Sequence, residues 1–308
     1  MSQSSAPLTP DAIGNHWSLR LAPAWARPYA RLMRLERPIG WYLLVWPCFF
    51  SSLAASTAAD LGPQWQHLTM FVIGAIIMRG AGCTLNDIVD RDIDGKVART
   101  AMRPIPAGEV SVRNALFLLV GLLLAGLCVL LTFNWFTVFV GASSLFLVAI
   151  YPFMKRITNW PQLVLGLVFS WGALVGWAAV EGSLSAPAIL IYVGCVAWTV
   201  GYDTVYACQD IDDDTLLGIG STPQAVGDFA PHLVAGTYAL FVLCFAVALY
   251  LAGASWLSYV GLAAAAGHLG VQVQKFDAAN PQASLRIFKS NGPLGLVLSL
   301  ALLADVLL

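Results

Sequence analysis

The run LTMFVIGAIIMRGAGCTLNDIVDRDIDGKVARTAMRP, Leu68 to Pro104, decides the fold. Its first half, Leu68 to Leu85, is apolar apart from Arg79 and two threonines. Wound as an α-helix at about 1.5 Å per residue, such a run is roughly the thickness of a bilayer's hydrocarbon core. The second half turns abruptly to charge, with Asp87, Asp90, Asp92 and Asp94 followed by Lys96, Arg99 and Arg103. A greasy helix that ends in acid and then base is a membrane span emerging into water, and its end carries more charge than a topogenic signal needs.

Working outward, the same texture fills the chain. Of 308 residues, 58% are hydrophobic and only 11% are charged, with a mean hydropathy of +0.74. Soluble domains carry about 25% charged residues, so composition excludes a soluble enzyme. Nine apolar runs predict spans at roughly 40–58, 67–88, 114–133, 135–151, 161–180, 187–207, 233–252, 255–273 and 291–308. The polar, arginine-bearing opening has no apolar stretch followed by a cleavage site, so no signal peptide is read there. Residues 1–30 read as a polar, basic N-terminal tail, and 31–308 as a single transmembrane domain.

The basic residues give the orientation. Arg20, Arg27, Arg31, Arg34 and Arg37 precede the first run, and Arg91, Lys96, Arg99, Arg103 and Arg113 follow the second. Lys155 and Arg156 follow the fourth, and Lys275, Arg286 and Lys289 follow the eighth. The alternate connections, near Asp60, Asn134, Glu181 and Gly253, have none. Lysine and arginine collect on the cytoplasmic side, so the N-terminus is expected inside.

One cytoplasmic connection breaks that rule. YDTVYACQDIDDDTLLGIGST, Tyr202 to Thr222, carries Asp203, Asp210, Asp212, Asp213 and Asp214 and no lysine or arginine. Function has to explain its sign. Asn86, Asp90 and Asp94 recur every four residues, as do Asp210 and Asp214, so on helices each set forms a column on one face. Oxygen ligands so arranged suit Mg²⁺, which accepts one or two carboxylates and completes its shell with water and phosphate oxygens. Neither cluster has a histidine beside it, and Cys83 and Cys208 each stand alone, so a zinc site is not expected. The six cysteines show no CxxC pair, and His16, His67, His232 and His268 are scattered. Arginine forks such as those of Arg99 and Arg103 suit phosphate oxygens. Metal ligands with arginines at a bilayer surface suit a diphosphate on a hydrocarbon tail, such as a prenyl diphosphate. The blander alternative for each cluster is a solvated loop.

At these residues the sequence resembles the UbiA superfamily of membrane prenyltransferases. NDIVDRDIDGKVARTAMRP is similar to its first signature, NDxxDxxxD with a following R-T-x-x-R-P stretch. YDTVYACQDIDDD is similar to the second, YDTxYAxxDxxDD, in the form typical of the subgroup that prenylates 4-hydroxybenzoate in ubiquinone synthesis. RLMRLERPIGWYLLVWP, from Arg31, resembles that subgroup's N-terminal signature.

The resemblance implies an all-α polytopic membrane protein, with nine transmembrane helices around a central cavity and cytoplasmic helical caps. It implies Mg²⁺ held on a polyprenyl diphosphate by Asn86, Asp90, Asp210 and Asp214, with Asp87, Asp94 and Asp213 at further signature positions. It implies electrophilic prenylation of 4-hydroxybenzoate ortho to its hydroxyl. Arg34 and Arg37 are expected at the aromatic carboxylate, and Lys96, Arg99, Arg103 and Lys155 at the substrate phosphates. Asp203 and Tyr206, one turn before the second cluster, are expected to orient the phenol, with Asp203 a proton acceptor. Membrane lipid is the surrounding partner. The net charge of −1 gives no indication of nucleic acid, and none is expected. A bacterial inner membrane is expected because no long arginine- and serine-rich presequence is seen. One departure is Gly220, in GIGST, where this subgroup is expected to have lysine.

Two other classes compete. A CDP-alcohol phosphotransferase motif fits Asp94-Gly95, Ala98-Arg99 and Gly108, but its flanking aspartates would fall on Arg91 and Val112. A transporter would place ionisable groups within the spans, which hold little beyond Arg79.

Overall fold

The computed structural model describes residues 16–96, 100–209, 211 and 220–308. Every regular element among them is helical. Two short helices, α1 (Trp17–Leu21) and α2 (Arg27–Leu32), precede α3 (Ile39–Ala58), α4 (Trp65–Asp94), α5 (Val112–Leu130) and α6 (Trp135–Met154). Then come α7 (Pro161–Ser170), α8 (Gly172–Glu181), α9 (Ala186–Ala207), α10 (Thr222–Val226), α11 (Ala230–Leu251), α12 (Trp256–Lys275) and α13 (Pro281–Val306).

The starts follow capping chemistry. Asn134, Ser255 and Asn280 accept backbone N–H bonds at the heads of α6, α12 and α13. Proline opens α7 and α13, where its missing N–H costs nothing. Gly182, in the left-handed region at φ 65°, closes α8. Pro47, Pro152 and Pro293 lie inside helices, as the spans of membrane proteins tolerate.

Among the described residues, eight segments are long and apolar enough to cross a membrane, with α7 and α8 together forming one and α10 to α11 another. The eighth expected span, 255–273, is present as α12, 20 residues long, but it is not among these eight. His268, Gln272, Gln274 and Lys275 dilute its hydropathy. Nine is therefore an approximate count. The second expected span also runs longer than its apolar stretch. α4 has 30 residues, about 45 Å at helical rise, so its last two turns lie beyond the hydrocarbon.

The chain divides into two compact units. The first comprises residues 1–41 and 73–129, and the second 42–72 and 130–308. In the first, Leu32, Ile88, Ile105, Val110 and Ala115 form a buried apolar cluster, with Tyr29 packed against it. This cluster ties α2 to the last turns of α4 and to the turn after them. In the second unit α9 carries most of the core. Trp198 and Tyr202 are almost fully buried and meet edge to face at 5.4 Å, and Trp198 lies 5.6 Å from Phe241. Gly176 of α8 lies directly on the Cys48 carbonyl of α3, where any Cβ would collide with backbone.

Candidate active site at the end of α4

Continuous helix through Asp94 puts the first acidic signature on a rigid element. Asn86 donates from Nδ2 to Asp90 Oδ2 at 2.9 Å, so the two residues do share one face, a turn apart. Asp87, offset by one residue, points elsewhere and is fully buried. Its Oδ1 accepts from Arg34 at 2.7 Å and from Arg103 at 3.3 Å. Arg103 also donates to Asp94 Oδ2 at 2.6 Å. Two arginines thus bracket two carboxylates, within a single unit, beside an apolar cluster.

The backbone supports this arrangement. Arg34 is 8% exposed and lies at φ 58°, a left-handed conformation that costs a non-glycine residue free energy and recurs at functional sites. Its pairing with a fully buried Asp87 offsets the desolvation of both groups. Thr100 donates its hydroxyl to the Asp94 carbonyl at 2.8 Å and folds the following turn back onto the helix end. Asp94 lies in the polar turns beyond the span. Burial pushes its carboxyl above the usual carboxylate range, Arg103 opposes that rise, and Asp87 and Asp90 add to it.

Oxygen donors dominate the site, as a hard cation requires. Asp87 Oδ2 is buried with no hydrogen-bond partner among the described residues, an orphan that a cation would satisfy. No group of three or more acidic, histidine or cysteine ligands converges among the described residues. The donor set therefore fits part of a divalent-metal shell, with Asn86 and Asp90 as the face and Asp87 behind it.

The other expected residues are distributed as follows. Arg37 lies beside the buried Glu36, with Nε 3.3 Å from Oε1. Lys96 is exposed in the turn after α4, whereas Arg99 lies outside the described residues. In the second unit Asp203 and Tyr206 occupy the last turns of α9, and the Tyr206 ring lies 4.5 Å from that of Phe288. Asp210, Asp213 and Asp214 lie outside the described residues. Lys155 ends α6, and its carbonyl accepts from the Gly220 N–H at 3.0 Å. A Cβ on Gly220 would approach the Thr158 carbonyl to 2.6 Å and Asn159 Oδ1 to 2.7 Å. The expected lysine is thus replaced by the residue that fits this contact.

Sequence reasoning missed Glu36 and Gln162. Glu36 is 2% exposed among arginines, and Gln162 accepts from the Thr222 backbone at 2.9 Å and hydroxyl at 2.7 Å. An acid inside the arginine-rich LERP stretch was the available signal for Glu36. A lone glutamine at a helix start gave none.

Residues 44–299 match the model of the UbiA prenyltransferase family. The chain belongs to that family. It is a multi-pass membrane protein of the UbiA fold. Among curated relatives, it is 48% identical over 289 residues to a protein named 4-hydroxybenzoate polyprenyltransferase, mitochondrial, of Aedes aegypti, covering 91% of this chain and 64% of that one. It is 42% identical to the protein of the same name from Drosophila melanogaster, over 100% of this chain and 78% of that one. The Homo sapiens protein of that name is 42% identical over 96% of this chain and 81% of its own length. Against the first of these relatives the chain spans just under two thirds of the length. The fold matches an apo UbiA homologue from Aeropyrum pernix K1 at TM-score 0.72 and 24% identity, over 85% of this chain and 97% of that one. It also matches a UbiA homologue from Archaeoglobus fulgidus bound to GPP and Mg²⁺, at TM-score 0.62 and 18% identity, over 90% and 99% of the two chains.

Proposed function

We propose that this UbiA-family chain transfers a polyprenyl group from an all-trans polyprenyl diphosphate to carbon 3 of 4-hydroxybenzoate, a step of ubiquinone biosynthesis. The observation that carries the reading is the oxygen-bearing face of Asn86 and Asp90 with Asp87 held by two arginines, at the polar end of a membrane helix. The acceptor is supported by the relatives' name, and the prenyl diphosphate by the family and by the GPP and DMAPP bound in the Archaeoglobus fulgidus homologue.

In the reaction the allylic C–O bond to diphosphate breaks, a C–C bond forms to the ring carbon ortho to the phenol oxygen, and that carbon then loses its proton. Structures of the family with Mg²⁺ and Cd²⁺ support a divalent ion, and the hard-oxygen donor set favours Mg²⁺. When bound, such an ion stabilises the charge that develops on the departing diphosphate. Asn86 and Asp90, with the remaining Oδ2 of Asp87 behind them, would hold it in the first signature, and Asp210, Asp213 and Asp214 in the second. Arg103, with one face on Asp94 and Asp87, is proposed to offer its remaining donors to phosphate, as are Lys96, Arg99 and Lys155. Arg34 is committed to Asp87, so we assign it to holding that carboxylate in place. Arg37 then becomes the proposed partner for the aromatic carboxylate. Asp203 and Tyr206 are proposed to orient the phenol.

Purified chain supplied with geranyl diphosphate and 4-hydroxybenzoate should form the geranylated acid, seen by mass spectrometry, with Mg²⁺ and not with EDTA. Asp90→Ala and Asp210→Ala should each abolish it. Product formation in EDTA, or by either folded variant, would overturn the metal assignment. If Asp203 acts on the phenol, Asp203→Asn should lower turnover more than Mg²⁺ binding. Equal loss of both would remove that role.

The relatives are named mitochondrial, which lends no support to a bacterial inner membrane. The membrane we propose is an inner membrane whose negative side bears the lysine- and arginine-rich connections. Fractionation of the source cells tests it.

A further inference from the structure

The segment before α2 is folded, and its exposed side chains have the wrong character for water. His16 caps α1, with Nδ1 2.7 Å from Ser18 Oγ, and Arg27 Nε donates to the Ala22 carbonyl at 3.2 Å to close the turn that follows. Within this small unit Trp17 is 66% exposed, Leu21 78% and Trp25 74%. Single exposed apolar residues are ordinary, but three large ones within nine positions make a patch that a soluble surface seldom carries. Trp17 and Leu21 are one helical turn apart and share a face of α1. Arg20 and Arg27 are exposed in the same segment, and neither forms an ion pair among the described residues.

The height of this patch is fixed by its attachment. Tyr29 and Leu32 of α2 pack in the cluster with Ile88 and Ile105, and Arg31 pairs with Glu109. Ile88 follows the last apolar residue of the α4 run by three positions, so α2 is held where that helix leaves the hydrocarbon. Tryptophan at that depth is the residue type that prefers the membrane–water interface, and arginine beside it meets lipid phosphate.

We propose that residues 16–27 form an interfacial anchor. Trp17, Leu21 and Trp25 enter the headgroup region of the leaflet on the basic side, and Arg20 and Arg27 bind the phosphates of anionic lipids there. The partner is the bilayer surface itself, chosen by charge complementarity and by continuity with helices already in the membrane. A water-facing tail and a second copy of the chain are the occupants it excludes.

The test uses the full chain in vesicles. Five of the six cysteines are buried and only Cys128 is exposed, so Cys128→Ser gives a background for labelling. An environment-sensitive fluorophore is placed at Trp17→Cys, Leu21→Cys or Trp25→Cys. In vesicles of mixed phosphatidylcholine and phosphatidylglycerol, each label should be quenched by bromine on the lipid chains and protected from aqueous iodide. In phosphatidylcholine alone, or after Arg20→Ser with Arg27→Ser, lipid quenching should weaken. Iodide quenching at all three positions in both vesicles would overturn the anchor. Lipid quenching that ignores both composition and the arginine changes would overturn the anionic-lipid assignment. Protection from both quenchers that disappears as the protein is diluted in lipid would assign the patch to a second copy.

Discussion

Asp87, with Arg34 and the half-buried Arg103, in the first unit, and Trp198, Gln272 and Asn291 in the second, are buried polar groups satisfied by different means. In the first unit formal charges answer one another across 53 residues of sequence, and one carboxylate oxygen of Asp87 remains without a hydrogen bond among the described residues. In the second, neutral groups satisfy one another. Trp198 Nε1 donates to Asn291 Oδ1 at 2.8 Å, and Gln272 Nε2 donates to the same oxygen at 3.3 Å. Gln272 Oε1 in turn accepts from Tyr238 at 2.8 Å, and Asn291 Nδ2 bonds the Ile287 carbonyl at 3.1 Å. The first set lies at a polar helix end, where a charge is tolerable and a spare oxygen is useful. The second joins α9, α11, α12 and α13 at depth, where an unpaired dipole costs free energy and a charge costs more. The first leaves Asp87 Oδ2 for the proposed ion to complete, and the second is complete among its own side chains.

That contrast makes separable predictions. Arg34→Ala should have the largest effect. It leaves Asp87 buried with only Arg103, and removing one partner of a buried pair costs about 3–5 kcal/mol. Thermal unfolding in detergent should drop, and product formation should fall further than the loss of folded protein explains. Asn291→Ala should come next. Trp198 and Gln272 would lose an acceptor, at about 1–3 kcal/mol for buried groups left unpaired. Its melting temperature should fall while activity per folded molecule stays near wild type. Loss of activity without loss of stability would mean this network serves the site rather than the fold. Gly220→Ala should follow, since the methyl presses on the Thr158 carbonyl and overpacking costs about 1–3 kcal/mol. An unchanged melting temperature would show that the 155–159 turn yields easily. The smallest effect belongs to Asp305→Asn. Asp305 accepts from the Ser255 N–H at 3.1 Å and the Ser258 hydroxyl at 2.6 Å, beside the start of α12. Removing its charge from a helix N-terminus should cost about 0.3–1 kcal/mol, read as a small shift in unfolding.

Much of this was legible in the sequence because membranes demand long apolar runs and basic residues choose sides. The Asn86–Asp90 column was legible because helical period alone puts those residues together. The pairing of Arg34 with Asp87 was not, since nothing local links positions 34 and 87. Arg34 was expected at the aromatic carboxylate for its place at the membrane edge, and the left-handed backbone that turns it toward Asp87 leaves no sequence signature in an arginine. The length of α4 was also hidden, because aspartate and arginine continue a helix as readily as they end a span. α12 reads poorly by hydropathy because Gln272 and His268 serve partners on α11 and α13, an arrangement that composition cannot express. Gly220 looked like a loss of charge, and in the fold it is a fit to the 158–159 backbone.

The most direct test is metal binding rather than turnover. Mn²⁺ added to the purified full-length chain with geranyl diphosphate can be followed by electron paramagnetic resonance in wild type, Asp90→Ala and Asn291→Ala. A bound signal is expected in wild type, with its loss in Asp90→Ala at unchanged unfolding, and its retention in Asn291→Ala despite a lower melting temperature. A bound Mn²⁺ signal that survives in Asp90→Ala would contradict the claim that the end of α4 is arranged to hold the ion.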